Sequence, residues 1–579
     1  MNARRWVSAL ALLLATVGVA GCANVPLSSP VQVLRQVSEG DGAPLPPGPV
    51  DGSNPLDLVR DFVFASGSST EKHGAARRFL AAQAAAWDDA ANLTVLDGQF
   101  DTVPAPGAQD PNTGVTTIRI RGTAIGRVTS SGSFEPGQSV FQQDVTVQRS
   151  DGQWRISSLP AGVVLPMSIF RDNYRSVRIW FVDPVRRLVV ADLRYVPSVP
   201  ARAQAARVVE LLLAGPSGAL LGAAVSQLPP GAQLRSNVTF STDGAVIVDL
   251  TRLGDLDEQS RSLLAAQVVL SLAEVNVSRV RLLADGEPLL AGRPDLTRED
   301  FSSLYAEMQA GADVPGLVVA GGHVRQLTGA EPGSALPGPM GNGAFDVESA
   351  ASTGDGHRIA AVTWQGGQRR LLISGGGGEG GVEAAPLAAD SMSRPSWTPT
   401  GTEVWTVLDS SVVARVLVDG AGSARTAQVN ADELAALGPI ADLRLSRDGM
   451  RVAAVVGGSL YTGAVARSID GEVAIRNIRR LRPAELGEVV AADWRSAESI
   501  VAITRGPDLL VGQVSVDGLV VAQVLGNNLT PPLTAIAVAA NRPLLVTDQS
   551  GVWSFAGGDQ AAWRQVIGGA PDGVPFYPG

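Results

Sequence analysis

The 579 residues include one cysteine, Cys22. A single thiol can close no internal disulfide, so the fold must rest on burial of apolar side chains. Lysine is as scarce: Lys72 is the only one, and arginine fills nearly all of the 46 basic positions. Together with abundant alanine, glycine and valine, that bias marks a GC-rich coding sequence. Acidic residues outnumber basic ones, 56 to 46, giving a net charge of -10, so the charge balance does not suggest a nucleic-acid partner. Three histidines, His73, His323 and His357, lie far apart with no cysteine beside them. They lack metal-ligand spacing and read as solvated or internally satisfied side chains. No Gly-x-Ser-x-Gly elbow and no His-Glu-x-x-His pair occurs.

What is present begins at the amino terminus. Arg4 and Arg5 precede an uncharged apolar stretch, Trp6 to Ala20, and small residues follow, the three-part build of an export signal. At about 15 residues the stretch falls short of the ~20 needed to span a bilayer as a helix. Val19-Ala20-Gly21-Cys22 resembles the bacterial lipobox. That resemblance implies cleavage between Gly21 and Cys22, with Cys22 carrying a thioether-linked diacylglycerol and an amide-linked acyl chain such as palmitate. Two or more chains anchor stably where one is marginal. The alternatives are a buried core cysteine, which fits poorly directly after an export signal, and an ordinary cleaved signal with an incidental thiol.

The expected domain order is a signal peptide at 1–21, a lipidated tether at 22–53, an α+β domain at 54–170, a second α+β domain at 175–292, a helical linker at 293–316 and a β-propeller at 317–579. The tether is rich in proline and glycine, as in "GDGAPLPPGPVDGSNP", a composition that disfavours packing. Asn54-Pro55 supplies an N-cap and a first helical residue, and a second helix is expected over about 70–87. Strand-like alternation follows, turning at Asp151-Gly152. Helices followed by a curved antiparallel sheet resemble the NTF2-like cone folds. In residues 177–290, "LLLAGPSG", "LPPGAQL", "AVIVDL" and "VRLLADGEPL" resemble the GerMN domain. Gly215-Pro216 should stop one helix, Asp243-Gly244 and Asp285-Gly286 should turn hairpins, and Thr297 with Asp300 should form a capping box.

Beyond residue 317 a repeat takes over. "STGDGHRIAAVTW", "SWTPTGTEVWTVL", "RLSRDGMRVAAVV", "DWRSAESIVAIT" and "AVAANRPLLVTD" place turn residues Gly356, Gly401, Gly449, Glu498 and Asn541 at spacings of 45, 48, 49 and 43. A period in the mid-forties with strand–turn–strand cores is a propeller signature. "GLVVAGGHVRQLTG" supplies half of a further blade, so five or six blades are expected. These repeats resemble TolB-type propellers. The ring should be removable as a unit, leaving the first two domains folded.

The remaining candidates for chemistry read as structural. Gly375, Gly377 and Gly380 match Gly-x-Gly-x-x-Gly, but "VEAAP" follows instead of a phosphate-facing helix. Asp88-Asp89 and Asp257-Glu258 sit beside helix ends, where capping is usual. Trp364, Trp397, Trp405, Trp494 and Trp553 recur with the repeat, with packing between blades preferred over a sugar-stacking surface.

The order of lipobox, NTF2-like segment, GerMN-like segment and propeller resembles the actinobacterial lipoprotein family LpqB over essentially the whole chain. The resemblance implies a membrane-anchored, extracytoplasmic, non-enzymatic accessory of a two-component system, the sensor histidine kinase MtrB with its regulator MtrA, in cell-envelope homeostasis and division. The lack of a reactive constellation leads to the expectation of no cofactor, no catalytic residue and no metal, and the resemblance implies as partner the kinase's extracytoplasmic domain. The competing readings are a glycan-binding protein or envelope hydrolase using a propeller face, and a scaffold without partner specificity.

Overall fold

Asn54 starts the first element: its side chain accepts hydrogen bonds from the backbone N–H groups of Leu56 and Asp57, and α1 runs Pro55–Ala65. The computed structural model describes residues 47–304, 315–327, 332–375, 380–420, 422–557 and 562–579. Gly21 and Cys22 lie outside them, as does most of the 22–53 tether.

α1 buries Leu58, Val59, Phe62 and Val63 on a five-stranded sheet. Its strands are β1 (Leu93–Pro104), β2 (Val115–Val128), β3 (Phe134–Ser150), β4 (Gln153–Ser158) and β5 (Val163–Pro166), in the order β4-β3-β2-β1-β5. The pairs are antiparallel except β1 with β5. Asp151 and Gly152 take positive φ at the β3–β4 turn, the conformation a two-residue hairpin needs. The helix expected over 70–87 is shorter. α2 covers Thr70–Arg77, with Glu71, Lys72 and His73 in a left-handed turn. The chain then leaves the helix because Ala81 N–H donates to Ile156 O on β4, so the sheet outcompetes continued helix. A bulge at Gly126 (φ 154°) near the end of β2 allows close approach of Glu135 O at the start of β3, where a Cβ would collide.

α3 (Met167–Asn173) leads into the second domain. There β6 (Tyr174–Val182) and β7 (Val189–Pro197) form a hairpin, followed by α4 (Ala201–Ala214), β8 (Gln233–Leu234), β9 (Thr239–Phe240), β10 (Val246–Thr251), α5 (Glu258–Ala273), β11 (Val280–Ala284) and β12 (Glu287–Pro288). β10 and β11 pair in parallel through the α5 crossover, the βαβ arrangement that a helix of this length permits. Gly215 (φ 82°) ends α4, Asp257 caps α5 through Ser260 N–H, and Asp285-Gly286 turns β11 into β12. Leu263, Leu264, Val268 and Leu272 of α5 pack with Val246, Val248 and Val280 in one buried cluster. The Thr297–Asp300 capping box is present and opens a single 3-10 turn at Arg298–Phe301.

Among the described residues the propeller has six blades, each a four-stranded antiparallel sheet. The five repeat cores form blades 2 to 6, with inner strands Val347–Ser352, Ser396–Trp397, Ile440–Leu445, Val489–Ser496 and Ala535–Ala537. Blade 1 takes its outer strands from Leu317–Ala320, His323–Leu327 and Pro332–Ala335 and its inner strand from Val574–Phe576, paired at Leu317↔Phe576 and Val319↔Val574. The two ends of the propeller segment are thus stitched together, which closes the ring and removes a free inner edge. From Pro46 onward the chain is one compact unit.

Candidate functional site at the junction of the three domains

The first two domains sit on one side of blades 4 and 5, against the turns that join inner to second strands and third to outer strands. These turns carry polar residues that would ordinarily face water. Asp517 and Arg451 are buried there, and each finds a partner in the second domain.

Tyr195 at the end of β7 donates its phenol to Asp517 Oδ2 at 2.8 Å. Asp517 also accepts from Ser515 Oγ at 2.6 Å and Leu519 N–H at 3.0 Å. Burial raises the Asp517 carboxyl above the usual range despite these donors, and burial together with the neighbouring carboxylate raises the Tyr195 phenol far above 10. Arg451, in the second strand of blade 4, donates to Ala191 O on β7 at 2.7 Å and pairs with Asp448 at 3.3 Å. Met450 and Ala464 of the same blade belong to the apolar cluster of the second domain. Arg178 of β6 lies 3.6 Å from Glu498 of blade 5.

The first domain is tied to both. Arg194 of β7 is fully buried, 0 % exposed. It donates to Asp192 Oδ2 at 2.8 Å, to Gly215 O at 2.9 Å and to Ser131 O in the β2–β3 turn. Tyr195 N–H donates to Gly132 O in that same turn at 2.7 Å. Asp192 in turn accepts from the backbone and hydroxyl of Ser217 at 2.7 and 2.8 Å. Arg479 of blade 4 donates to Phe134 O at 3.1 Å. Ser133, Asp192, Ser217, Arg451, Arg479 and Asp517, drawn from all three domains, share a cavity of about 30 Å³, room for one water. Such a network locks domain orientation, because breaking any member leaves a buried polar group unpaired.

The residues singled out from the sequence scatter. His73 is buried with Nδ1 2.9 Å from Ser66 O and Nε2 3.9 Å from Asp89; burial lowers its pKa below 6.5. His323 opens the second strand of blade 1 and His357 is exposed at the first turn of blade 2. Among the described residues no group of three or more His, Cys, Asp or Glu side chains is placed to hold a metal ion. Asp89 pairs with Arg77 at 2.7 Å, and Asp88 accepts from Ala90 N–H. Gly375 and Gly380 close a loop between two strands of blade 2 through a 3.0 Å hydrogen bond; Gly377 lies outside the described residues. Trp397, Trp405 and Trp494 are buried and Trp553 is partly buried. Trp364 departs from this pattern: it is 45 % exposed, with the Arg369 guanidinium 5.0 Å over its ring. It sits one residue before the end of its strand, where the buried run Ile359–Thr363 has ended. Sequence reasoning missed the junction residues, because an arginine in a strand gives no local sign that another domain will cover it.

An α+β domain, a GerMN-type α+β domain and a six-bladed propeller joined as one block define the class of multidomain propeller proteins. Three family models match in that order: "Lipoprotein LpqB, N-terminal domain" over residues 48–171, "Sporulation and spore germination" over 178–290 and "Lipoprotein LpqB beta-propeller domain" over 322–578. The chain belongs to the LpqB lipoprotein family. It is 32 % identical to Lipoprotein LpqB of Rhodococcus opacus (strain B4), covering 100 % of this chain and 99 % of the relative. It is also 32 % identical to that of Mycobacterium leprae (strain TN), covering 96 % and 97 %, and 31 % identical to that of Mycobacterium tuberculosis, covering 97 % of each. A solved propeller, the Cps50 (Swd1) domain of Myceliophteria thermophila, aligns with a TM-score of 0.28 at 12 % identity, covering 37 % of this chain and 67 % of that one. Membership in a lipoprotein family makes this a membrane-anchored protein, and no helix among the described residues is long and apolar enough to cross a membrane.

Proposed function

We propose that this chain is held by acyl chains on Cys22 at the outer face of the cytoplasmic membrane, where it acts without catalysis as an accessory of an MtrB-like sensor kinase. The signal peptide ending at Gly21 exports it, and the tether lets the three-domain block stand clear of the lipid. Its partner is the kinase's extracytoplasmic domain, and its role is in envelope homeostasis and division. The observation that carries this reading is the buried Tyr195–Asp517, Arg194–Asp192 and Arg451–Ala191 network. A block whose domains are cross-locked offers a partner one fixed surface, so little ordering entropy is lost on docking. Anchoring in the same membrane raises the effective concentration of the two proteins, so a weak interface suffices.

Calorimetry between the purified kinase domain and this protein, with a membrane pull-down of the lipidated form, tests the pairing. Saturable association supports it. Absence of association in both formats rejects the named partner.

A second reading rests on Trp364. An exposed indole with a guanidinium over one face is a surface on which a sugar ring can stack. Incubation with cell-wall fragments separates the two: saturable binding lost in Trp364→Ala favours a glycan-binding role, and turnover of the fragments favours a hydrolase.

A further inference from the structure

An arginine-rich run, "IRNIRRLRP", forms the outer strand of blade 4 and its exit, in a chain whose net charge is -10. Arg479, Arg480 and Arg482 from this run line a cavity of about 360 Å³ together with Ile478 and Pro483. The opposite wall comes from the first domain: Ile125, beside the Gly126 bulge, and the Pro136-Gly137-Gln138 stretch of β3. No carboxylate lines the cavity. Beside its walls, Glu135 is paired with Arg127 at 2.9 Å and Glu485 with Arg482, the second oxygen of Glu485 having no hydrogen-bond partner. Three guanidiniums therefore line the cavity with no carboxylate among its walls, while Asp192 and Asp517 act on Arg479 from the adjoining junction.

Two further observations concern Arg482. Its Nε is buried with no hydrogen-bond partner, as is Oε2 of its ion-pair partner Glu485, so the pair leaves donor and acceptor capacity unused. Arg482 also holds positive φ (37°), unfavourable for a residue with a Cβ, so the backbone is bent at the point where this guanidinium enters the cleft. Burial disfavours the charged form of Arg479 and outweighs the Glu135, Asp192 and Asp517 charges that favour it, a residual cost that an anion would offset.

From this arrangement we propose that the cleft between the first domain and blade 4 binds a small organic phosphate. Guanidinium forks match phosphate oxygens in bidentate fashion, and Ile125, Pro136, Ile478 and Pro483 supply apolar walls for the organic part. The volume lies at the small end of ligand pockets, enough for one phosphate ester of glycerol size. Because the walls belong to two domains, an occupant clamps them together. The phosphate has two sources in a membrane setting, a soluble ester or a phospholipid headgroup.

The test uses the full chain with glycerol 1-phosphate, and with vesicles of phosphatidylglycerol against phosphatidylcholine, by calorimetry and flotation at 0.15 M salt, a concentration at which exposed charges are largely screened. Arg480→Gln is the informative variant: Arg480 is exposed and donates only to Ser459 Oγ, so the fold should survive, as checked by an unchanged Tm. Expected is saturable binding weakened about tenfold or more by Arg480→Gln, the loss of one charge-assisted contact. Binding of the soluble ester assigns a free phosphate, whereas phosphatidylglycerol preference without it assigns a headgroup; dependence on Arg480 is required of either. No saturable binding of any probe, or binding that Arg480→Gln leaves unchanged, overturns the site.

Discussion

The Tyr195 hydroxyl donates at 2.8 Å to Asp517 Oδ2, joining the second domain to blade 5 across 322 residues of sequence. Tyr195→Phe removes one of three donors to a buried carboxylate and nothing else. We expect a loss of about 1–3 kcal/mol, read as a lowered denaturation midpoint at unchanged m-value. No change in midpoint would mean that the junction is not under this bond's control.

Glu403 on blade 3 holds Arg467 at 2.9 Å, Arg415 at 3.2 Å and the Trp405 indole N–H at 3.1 Å. Burial pushes its carboxyl up, but the Arg467 hydrogen bond and charge, with help from Trp405 and Arg415, outweigh that and hold it below 4.5. A depressed folded-state pKa contributes stability above the ordinary carboxylate range, and that stability is lost as pH falls through the folded value. Glu403→Gln should therefore cost on the order of 3 kcal/mol at pH 7, and the gap to wild type should narrow below about pH 4. Melting curves at pH 7, 5 and 3 check it; a gap that widens in acid contradicts the assignment.

Phe576, 1 % exposed, lies on the strand that completes blade 1. Phe576→Ala should cost about 3–5 kcal/mol by leaving a cavity at the seam. Limited proteolysis should then cut first within 317–335, the segment that loses its inner strand. Cuts elsewhere in the ring would argue that closure does not depend on this strand.

Met450 and Ala464 complete the apolar cluster of the second domain. Residues 47–304 expressed without the propeller should accordingly expose apolar surface, bind a hydrophobic dye and unfold with reduced cooperativity. The expectation from the sequence is that the first two domains stay folded once residues 317–579 are removed, and this fragment tests it. A sharp, dye-free transition of the fragment would bear it out.

Cys22→Ser should release the protein from membranes or leave a precursor that retains residues 1–21. Intact-mass measurement of the membrane fraction decides: an unmodified wild-type chain argues against lipidation.

Local chemistry was legible in the sequence. The Asn54-Pro55 start, the Asp151-Gly152 and Asp285-Gly286 turns, the Gly215 stop and the Thr297–Asp300 box all appear where short-range rules place them. The mid-forties period gave blades 2 to 6 directly. Blade 1 was only half visible because Val574–Phe576 is too short to read as a strand by itself, and its partner lies at the other end of the repeat region. α2 came out shorter than its pattern because Ala81 bonds Ile156, a contact no local window contains. The junction was hidden for the same reason: Arg194, Asp192, Arg451 and Asp517 are surface types by composition, and only docking makes them interior.

The stitched seam of blade 1 also bears on how the protein is made. A chain is synthesised amino end first, so Leu317–Ala320 must wait, unpaired on one side, until Val574–Phe576 has emerged. A nonsense lesion or a trimmed carboxyl end would then forfeit the whole ring instead of a single blade, and the damaged product would present sticky strand edges to proteases and to other chains.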